Sequence, residues 1–474
     1  MARDRSTETY SIIINCMRFI VSDTMQLDKA FGKWRYSTDD GVRTWSDGNR
    51  LCLYYGYTID NNLDDLVRGL TKEVANANGK FCVVMLWRNS LQVWVDYFGQ
   101  SKIYYHTPTH DGLTVTNQIS LLPLGDEDVD SDVIKRFARG IYSGDEFKHA
   151  SDSSDHLLLE WQAYSTDHTV FHNVASLPLG HSLTHTLGHS NLAKVHDHVG
   201  DTRTALSNTL VWDTARLEDT VHRCMEQHRD VIKKNYNNIC STVSEGVDSV
   251  LQDMYFDAGD RLMYSVKEHE LTLPWKQRVI AQFREQGKAI SLDTMAVDDV
   301  GEITERYATD PVLSYLDTVP TIWQLGRMAK RPDLVLYGQN ADEMFMHRER
   351  YLRAIGEDPE EHRDTYAFGD SPKQGTIEQL CVPFLYNREI ENQTGVETTS
   401  LYSDRRMFNL VHRMPREVMV DSMANATPQR NILRDRFQFE FTTPRKDQAG
   451  YRCKEVLKRL LGRTVNRCLV PREL

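Results

Sequence analysis

The sequence predicts an α+β domain of antiparallel strands over residues 1–200, followed by an α/β domain with a parallel sheet over 201–474. Three observations carry this. A chain of 474 residues exceeds what one hydrophobic core usually organises, so two domains are expected. Up to about residue 200, short β-branched and aromatic runs alternate with turn residues. Beyond that point helical spacing dominates, and a strand, a tight turn and a helix start follow one another across 238–254.

In the first part, the runs at 11–14, 50–55, 81–87, 91–95 and 102–105 read as strands, with turns at 88–90 and 110–112. Two helical stretches interrupt them, over 63–76 and 130–141. The closely spaced His181, His185, His189, His196 and His198 suggest a metal site at first sight. Gly180 and Gly188 break any helix there, so the stretch reads instead as a hairpin and linker. In the second part a helix is expected over 217–236, a strand over 238–243, a further strand over 332–337 and a helix over 322–329.

The hydrophobic share of 40% and aromatic share of 9% are those of a folding globular chain. With Lys+Arg 56 against Asp+Glu 68, the net charge of -12 argues against non-specific binding to nucleic acid or an anionic membrane. No apolar run reaches bilayer-spanning length and the start lacks an apolar signal core, so a soluble, cytoplasmic protein is expected. The 8 cysteines are scattered without a CxxC pair, which suggests neither a zinc site nor a disulfide framework.

The most telling segment is Ser244-Glu245-Gly246-Val247-Asp248-Ser249. It lies between a short strand and a helix start, where outward-pointing backbone N–H groups carry partial positive charge, hydroxyls add donors and an Asp can hold a divalent cation. This is the outline of a pyrophosphate-binding loop. Glu245 is out of character, because it puts a carboxylate where pyrophosphate would rest and a side chain where positive φ is expected, a strain of about 1 kcal/mol.

Taken with the rest of the chain, this loop resembles the S-G-G-x-D-S loop of asparagine synthetase and its relatives, the β-lactam synthetases and lasso-peptide cyclases. The stretch 337–345, with Gly338, Gln339 and Asp342, resembles the family's S-G-x-G-A-D-E-x-F segment. Asp310-Pro311 with Pro320, then Glu397 and Asp404, then Ile432-Leu433-Arg434 and Arg445-Lys446-Asp447-Gln448 are similar to later motifs in the same order. The first part resembles the family's glutaminase domain at 96–105, 115–122 and 177–181. The resemblance implies an Ntn-hydrolase-like sandwich of antiparallel sheets, then a PP-loop domain of the adenine nucleotide alpha-hydrolase-like kind.

Glutaminase chemistry is not expected. The family uses an N-terminal Cys nucleophile, and here Met1 is followed by Ala2. Residues 55–60 stand where the oxyanion Asn and substrate contacts would be, and Asn78-Gly79-Lys80 stands where an Asp would bind the glutamine amine. The first domain therefore reads as a scaffold.

For the second domain, the resemblance implies ATP and Mg2+. Ser244, Gly246, Asp248 and Ser249 would contact the phosphates, and Val243, Val266 and Gly338 would hold adenosine. Asp248 and Asp342 would ligate Mg2+, which prefers hard oxygen donors. Lys446 would be the catalytic cation, and Glu397 is a candidate base because Gln339 cannot accept a proton at neutral pH. The implied activity is an ATP-dependent, AMP-forming carbon–nitrogen ligase that adenylates a small-molecule or peptide carboxylate and passes it to ammonia or an amine. Many relatives are homodimers, which leaves a homodimer open. The alternative is a pseudoenzyme that keeps the scaffold in a binding or structural role; Glu245 and Gln339 favour it, while Asp248, Asp342 and Lys446 oppose it.

Overall fold

The computed structural model describes residues 18–69, 73–107, 112–125, 128, 169, 171–178, 180–196, 214–266, 273–295, 318–338, 341, 345, 390–391, 393–413 and 426–440. The strand expected at 11–14 and the helix expected at 130–141 lie outside them, as does most of the turn expected at 110–112.

The first half pairs strands antiparallel in two sheets. One has the order β10-β8-β9-β1-β3-β2, made of β1 (Phe19–Ser22), β2 (Lys29–Phe31), β3 (Trp34–Thr38), β8 (Tyr104–His106), β9 (Thr114–Thr116) and β10 (Val174–Ser176). The other has the order β12-β11-β7-β6-β5-β4, made of β4 (Arg43–Ser46), β5 (Arg50–Thr58), β6 (Gly79–Trp87), β7 (Ser90–Val95), β11 (His181–Thr186) and β12 (His189–Lys194). The His-rich stretch is thus the β11–β12 hairpin, as the glycines suggested.

Period-2 alternation explains why β5 and β6 are almost continuously apolar. Leu51, Leu53 and Tyr55 with Cys82, Val84 and Leu86 face the first sheet and share a core with Phe19, Val21, Trp34 and Val115. The intervening Cys52, Tyr54, Phe81, Val83 and Met85 face the opposite way, against Leu63, Leu66 and Val67 of α1 (Leu63–Gly69) and Val74 of α2 (Glu73–Asn76). Burial on both faces leaves no polar side to the central strands.

The second half holds a parallel sheet of order β15-β14-β13-β16-β17. Its strands are β13 (Ile239–Thr242), β14 (Asp260–Val266), β15 (Ser291–Met295), β16 (Leu334–Leu336) and β17 (Glu397–Thr399). The helices around it are α3 (Thr214–Asn235), α4 (Val247–Met254), α5 (Leu273–Glu285), α6 (Thr318–Arg327), α7 (Arg405–His412) and α8 (Thr427–Phe437). Leu217, Val221, Met225 and Ile232 of α3, spaced at helical intervals, join the same core as Val250 and Leu251 of α4 and Ile432 and Leu433 of α8.

The halves meet where β5 and β6 leave their own core. Tyr57 and Lys80 are cross-strand partners, flanked by Gly56 at φ +90 and Gly79 at φ +153. A Cβ at Gly56 would lie 2.1 Å from the Lys80 carbonyl oxygen, so only glycine permits this close approach. Lys80 is 0% exposed and donates to Glu391 Oε1 at 2.6 Å and to the Thr398 carbonyl at 2.7 Å. Tyr57 Oη lies 2.8 Å from His228 Nε2 and 3.1 Å from Thr399 Oγ1. Burial pushes His228 down to about 4, so it is neutral at neutral pH, and with its Nδ1–H on the Leu401 carbonyl its Nε2 accepts from Tyr57. Asn78 donates to Asp404 Oδ1 and accepts from the Arg405 amide, Thr399 donates to Gln100 Oε1, and the Arg405 guanidinium sits 4.3 Å from the Tyr97 ring centre.

Removing Lys80 would take from two buried carboxylates their nearest described cation. The Lys80→Met variant is expected to lose about 3–5 kcal/mol of unfolding free energy, read by urea denaturation followed by far-UV circular dichroism. A loss under about 1 kcal/mol would show that Lys80 is not what neutralises the junction.

Candidate functional site at the carboxyl ends of the parallel strands

Chain direction places the loop. In a parallel sheet all strands end on one side, and the turn from the central strand β13 into α4 opens there. β13 is pinned on both flanks: Val243 N–H donates to the Leu262 carbonyl at 2.8 Å, and Thr242 Oγ1 donates to the Leu336 carbonyl at 3.1 Å.

The loop is shaped by its own hydroxyls. Ser249 Oγ accepts from the Ser244 amide at 3.0 Å, sits 2.9 Å from Ser244 Oγ and donates to the Gly246 carbonyl at 3.1 Å. Ser244 Oγ accepts from the Gly246 amide at 3.0 Å. These bonds form a consistent donor–acceptor chain in which Ser244 O–H points to Ser249. Both hydroxyls thus hold the turn. The first-turn amides of α4, which has Gly246 as N-cap and no side-chain cap, are the groups of the turn that could meet an anion.

Gly338, at the end of β16, belongs to the same spot. A Cβ there would lie 2.6 Å from Ser249 N and Cα, so β16 reaches the first turn of α4 only because residue 338 is glycine. Val243 is 4% exposed and forms part of the core beneath the loop. Val266 ends β14, the neighbouring strand, at the same edge of the sheet.

Glu245 does not behave as its sequence suggested. Among the described residues the non-glycine positions with positive φ are Asn173, Leu187, Ala426 and Gln438, so the backbone at Glu245 carries no left-handed strain. The expected penalty of about 1 kcal/mol is therefore corrected away. Its carboxylate turns toward α5, 4.0 Å from Lys276 Nζ. Lys276 is 9% exposed, donates to the Tyr264 carbonyl at 2.6 Å and lies 5.1 Å from the Tyr264 ring centre.

Asp248 Oδ1 accepts from Gln429 Nε2 at 3.3 Å, and its backbone carbonyl accepts from Tyr402 Oη at 3.0 Å. Half-buried Arg430 stands beside Gln429 on α8: burial pushes its guanidinium below the usual value and the Asp248 carboxylate opposes the shift. Lys276 and Arg430 are thus two cations at the loop that sequence reasoning missed. A lone Lys or Arg on an amphipathic helix looks like a solvated charge, and only packing against the loop distinguishes these two.

Glu397 is misplaced for a base, and that expectation is corrected. In register it pairs with Leu334, which pairs with Ile239, so it lies at the amino ends of the strands, opposite the loop. There Tyr236 O–H donates to Glu397 Oε2 at 2.6 Å and Lys80 Nζ lies 3.5 Å away. Its Oε1 is buried with no hydrogen-bond partner among the described residues. Asp404 caps α7 through the Arg406 amide at 2.8 Å, a structural task. Gln339, Asp342 and Lys446 lie outside the described residues. Among the described residues no group of three or more His, Cys, Asp or Glu side chains could hold a metal ion, and no helix is long and apolar enough to cross a membrane.

No family model matches the chain, and no curated protein matches it. Among solved structures, one titled "Structure of the allosteric regulatory enzyme of purine biosynthesis" aligns over 60% of this chain and 75% of its own at 8% identity, with a TM-score of 0.23. So slight a likeness carries no argument; what stands by itself is two antiparallel sheets followed by a parallel five-stranded one.

The loop's packing can be tested directly. Gly338→Ala, which sets a Cβ against backbone, is expected to cost about 1–3 kcal/mol in urea unfolding. Gly246→Ala, whose Cβ would meet the Ser244 hydroxyl at 3.1 Å, is expected to cost less, since that hydroxyl can give.

Proposed function

We propose that the second half is an ATP-dependent, AMP-forming amide-bond synthetase of the asparagine synthetase type, which adenylates a carboxylate and transfers it to ammonia or an amine without using glutamine. The observation that carries this reading is the uncapped Gly246–Ser249 turn at the carboxyl end of the central parallel strand, with Lys276 and Arg430 beside it and motifs in family order along the chain.

The chemistry asked of the site is modest. The acceptor carboxylate attacks the α-phosphate of ATP, and negative charge builds on departing pyrophosphate. First-turn amides of α4 and the Lys276 and Arg430 cations supply fixed positive potential there, with Lys446 as a further cation by resemblance. Asp248 offers Mg2+ the hard carboxylate oxygen it prefers, with Asp342 as second ligand by resemblance, and a bound ion would gather the phosphates and neutralise their charge. With Glu397 at the opposite end and Gln339 unable to accept a proton, the amine is deprotonated by solvent.

The first half then serves as a platform. Tyr57, Asn78 and Lys80, which stand where a glutaminase would bind its substrate, are occupied with the second half. A second reading, a pseudoenzyme with a binding or structural role, is favoured by one observation: the loop hydroxyls bond each other and Asp248 is already engaged by Gln429.

ATP–pyrophosphate exchange with a panel of carboxylates separates the two. The synthetase reading expects exchange with at least one carboxylate and its abolition by Asp248→Ala; no exchange, together with no thermal shift from ATP-Mg2+, supports the pseudoenzyme.

A further inference from the structure

Resting on the nucleotide-binding reading above, we propose that Gln429 positions Asp248 for a divalent cation. Its amide N–H fixes one oxygen of the Asp248 carboxylate, and its amide oxygen accepts from the water shell of the bound ion. The cation site thereby draws on α8, an element that neither the 244–249 loop nor the 337–345 segment contains.

Gln429 lies in the first turn of α8 and is 0% exposed. Its Nε2 donates to Asp248 Oδ1 at 3.3 Å. A carboxylate only accepts at neutral pH, so this bond fixes which end of the amide is nitrogen. The other end, Oε1, is buried and has no hydrogen-bond partner among the described residues. Buried acceptors seldom stay unpaired, because they have given up water and received nothing in return. Nor can the side chain retreat to solvent: Ile432 and Leu433, one turn further along α8, are packed in the core, and Asn431 Nδ2 donates to Glu218 Oε1 of α3 at 2.6 Å. Two other buried glutamines spend this oxygen inside the protein, Gln252 on the Leu401 amide at 2.7 Å and Gln100 on Thr399 Oγ1 at 2.9 Å. Gln429 keeps its oxygen unspent, next to a carboxylate in the first turn of α4.

What this oxygen lacks is a donor, and the water shell of a divalent cation provides one. Mg2+ keeps several waters when it is held by a carboxylate and phosphates, and each of those waters donates strongly. A carboxylate ligand also gains from a neighbour that sets its orientation toward the ion. One amide meets both needs here, through its N–H on Asp248 and its oxygen on the ion's water. The Gln429–Asp248 bond then prepares the carboxylate for the ion, where the pseudoenzyme reading takes it as a sign that Asp248 is occupied. Because the amide is neutral, it adds no charge against the phosphates, which a carboxylate at 429 would.

The experiment is isothermal titration of the full chain with ATP at a series of Mg2+ concentrations, for the wild-type protein, Gln429→Leu and Gln429→Glu. The proposal expects Mg2+ to tighten ATP binding by wild type. Gln429→Leu is expected to need at least about tenfold more Mg2+ for half of that gain, with wild-type affinity regained once Mg2+ saturates. Gln429→Glu is expected to depend on Mg2+ more steeply than wild type. A loss of affinity in Gln429→Leu that no Mg2+ concentration recovers overturns the proposal, because it marks a merely structural role. An unchanged Mg2+ requirement in Gln429→Leu overturns it too, as does tighter binding of Mg2+-ATP through release of Asp248. Should Gln429→Leu fail to fold, thermal unfolding of Gln429→Glu decides: a midpoint lowered without ion by two neighbouring carboxylates and restored to the wild-type value by ATP-Mg2+ supports the proposal, and one lowered equally in both overturns it. Wild-type binding of ATP that ignores Mg2+ overturns the proposal and leaves the nucleotide reading standing. Absence of ATP binding by wild type at every Mg2+ concentration overturns the nucleotide reading itself, and the proposal with it.

Discussion

One buried ammonium organises this protein. Lys80 sits fully out of water among Glu391, Glu397 and the Thr398 carbonyl, so the second half supplies carboxylates that offset its buried charge. The reverse holds for the carboxylates, whose nearest described cation comes from the first half. Tyr57, Lys80 and Asn78 all project from the ends of β5 and β6, and a glycine on either strand allows the pair to approach closely enough to aim them. Around the charges, Tyr57, Tyr97 and Phe98 continue the apolar core of the second half, so the junction is packed as well as paired.

Docking at this place has a consequence for the site. β17 meets the first half with its Glu397 end, and that end is level with the start of β13 and β16. The opposite ends, where the Ser244–Ser249 turn, Gly338, Lys276 and Arg430 gather, are not drawn into this ion cluster. The sheet is therefore anchored at one end and presents its helix N-terminus at the other, the side on which open α/β sheets take ligands.

Much of this architecture was legible in the sequence, and the failures are physical. The apolar runs of β5 and β6 and the helical spacing of α3 survive because burial on fixed faces writes a period into the chain. The strands β2 to β4 were missed because most of their positions are half-exposed or exposed, and β2 and β4 lie at sheet edges, where short strands need little apolar sequence; β1, buried at all four positions, was missed as well. The site was legible in outline, since a turn between a strand and a helix announces itself. Glu397 was misread because chain order tells which strand a residue belongs to, and not which end of the sheet faces the ligand. The signal that could have found the anchor was Lys80, a charge inside an otherwise apolar run, which asks for a buried counter-ion.

Amide hydrogen exchange, with and without ATP-Mg2+, tests both halves of this account at once. The account predicts that β5, β6, β13 and β17 exchange in one slow class, that amides of the Ser244–Ser249 turn exchange faster, and that ligand protects the turn while leaving the junction unchanged. Separate exchange classes for the antiparallel and parallel sheets, or protection that appears away from the turn, would contradict it.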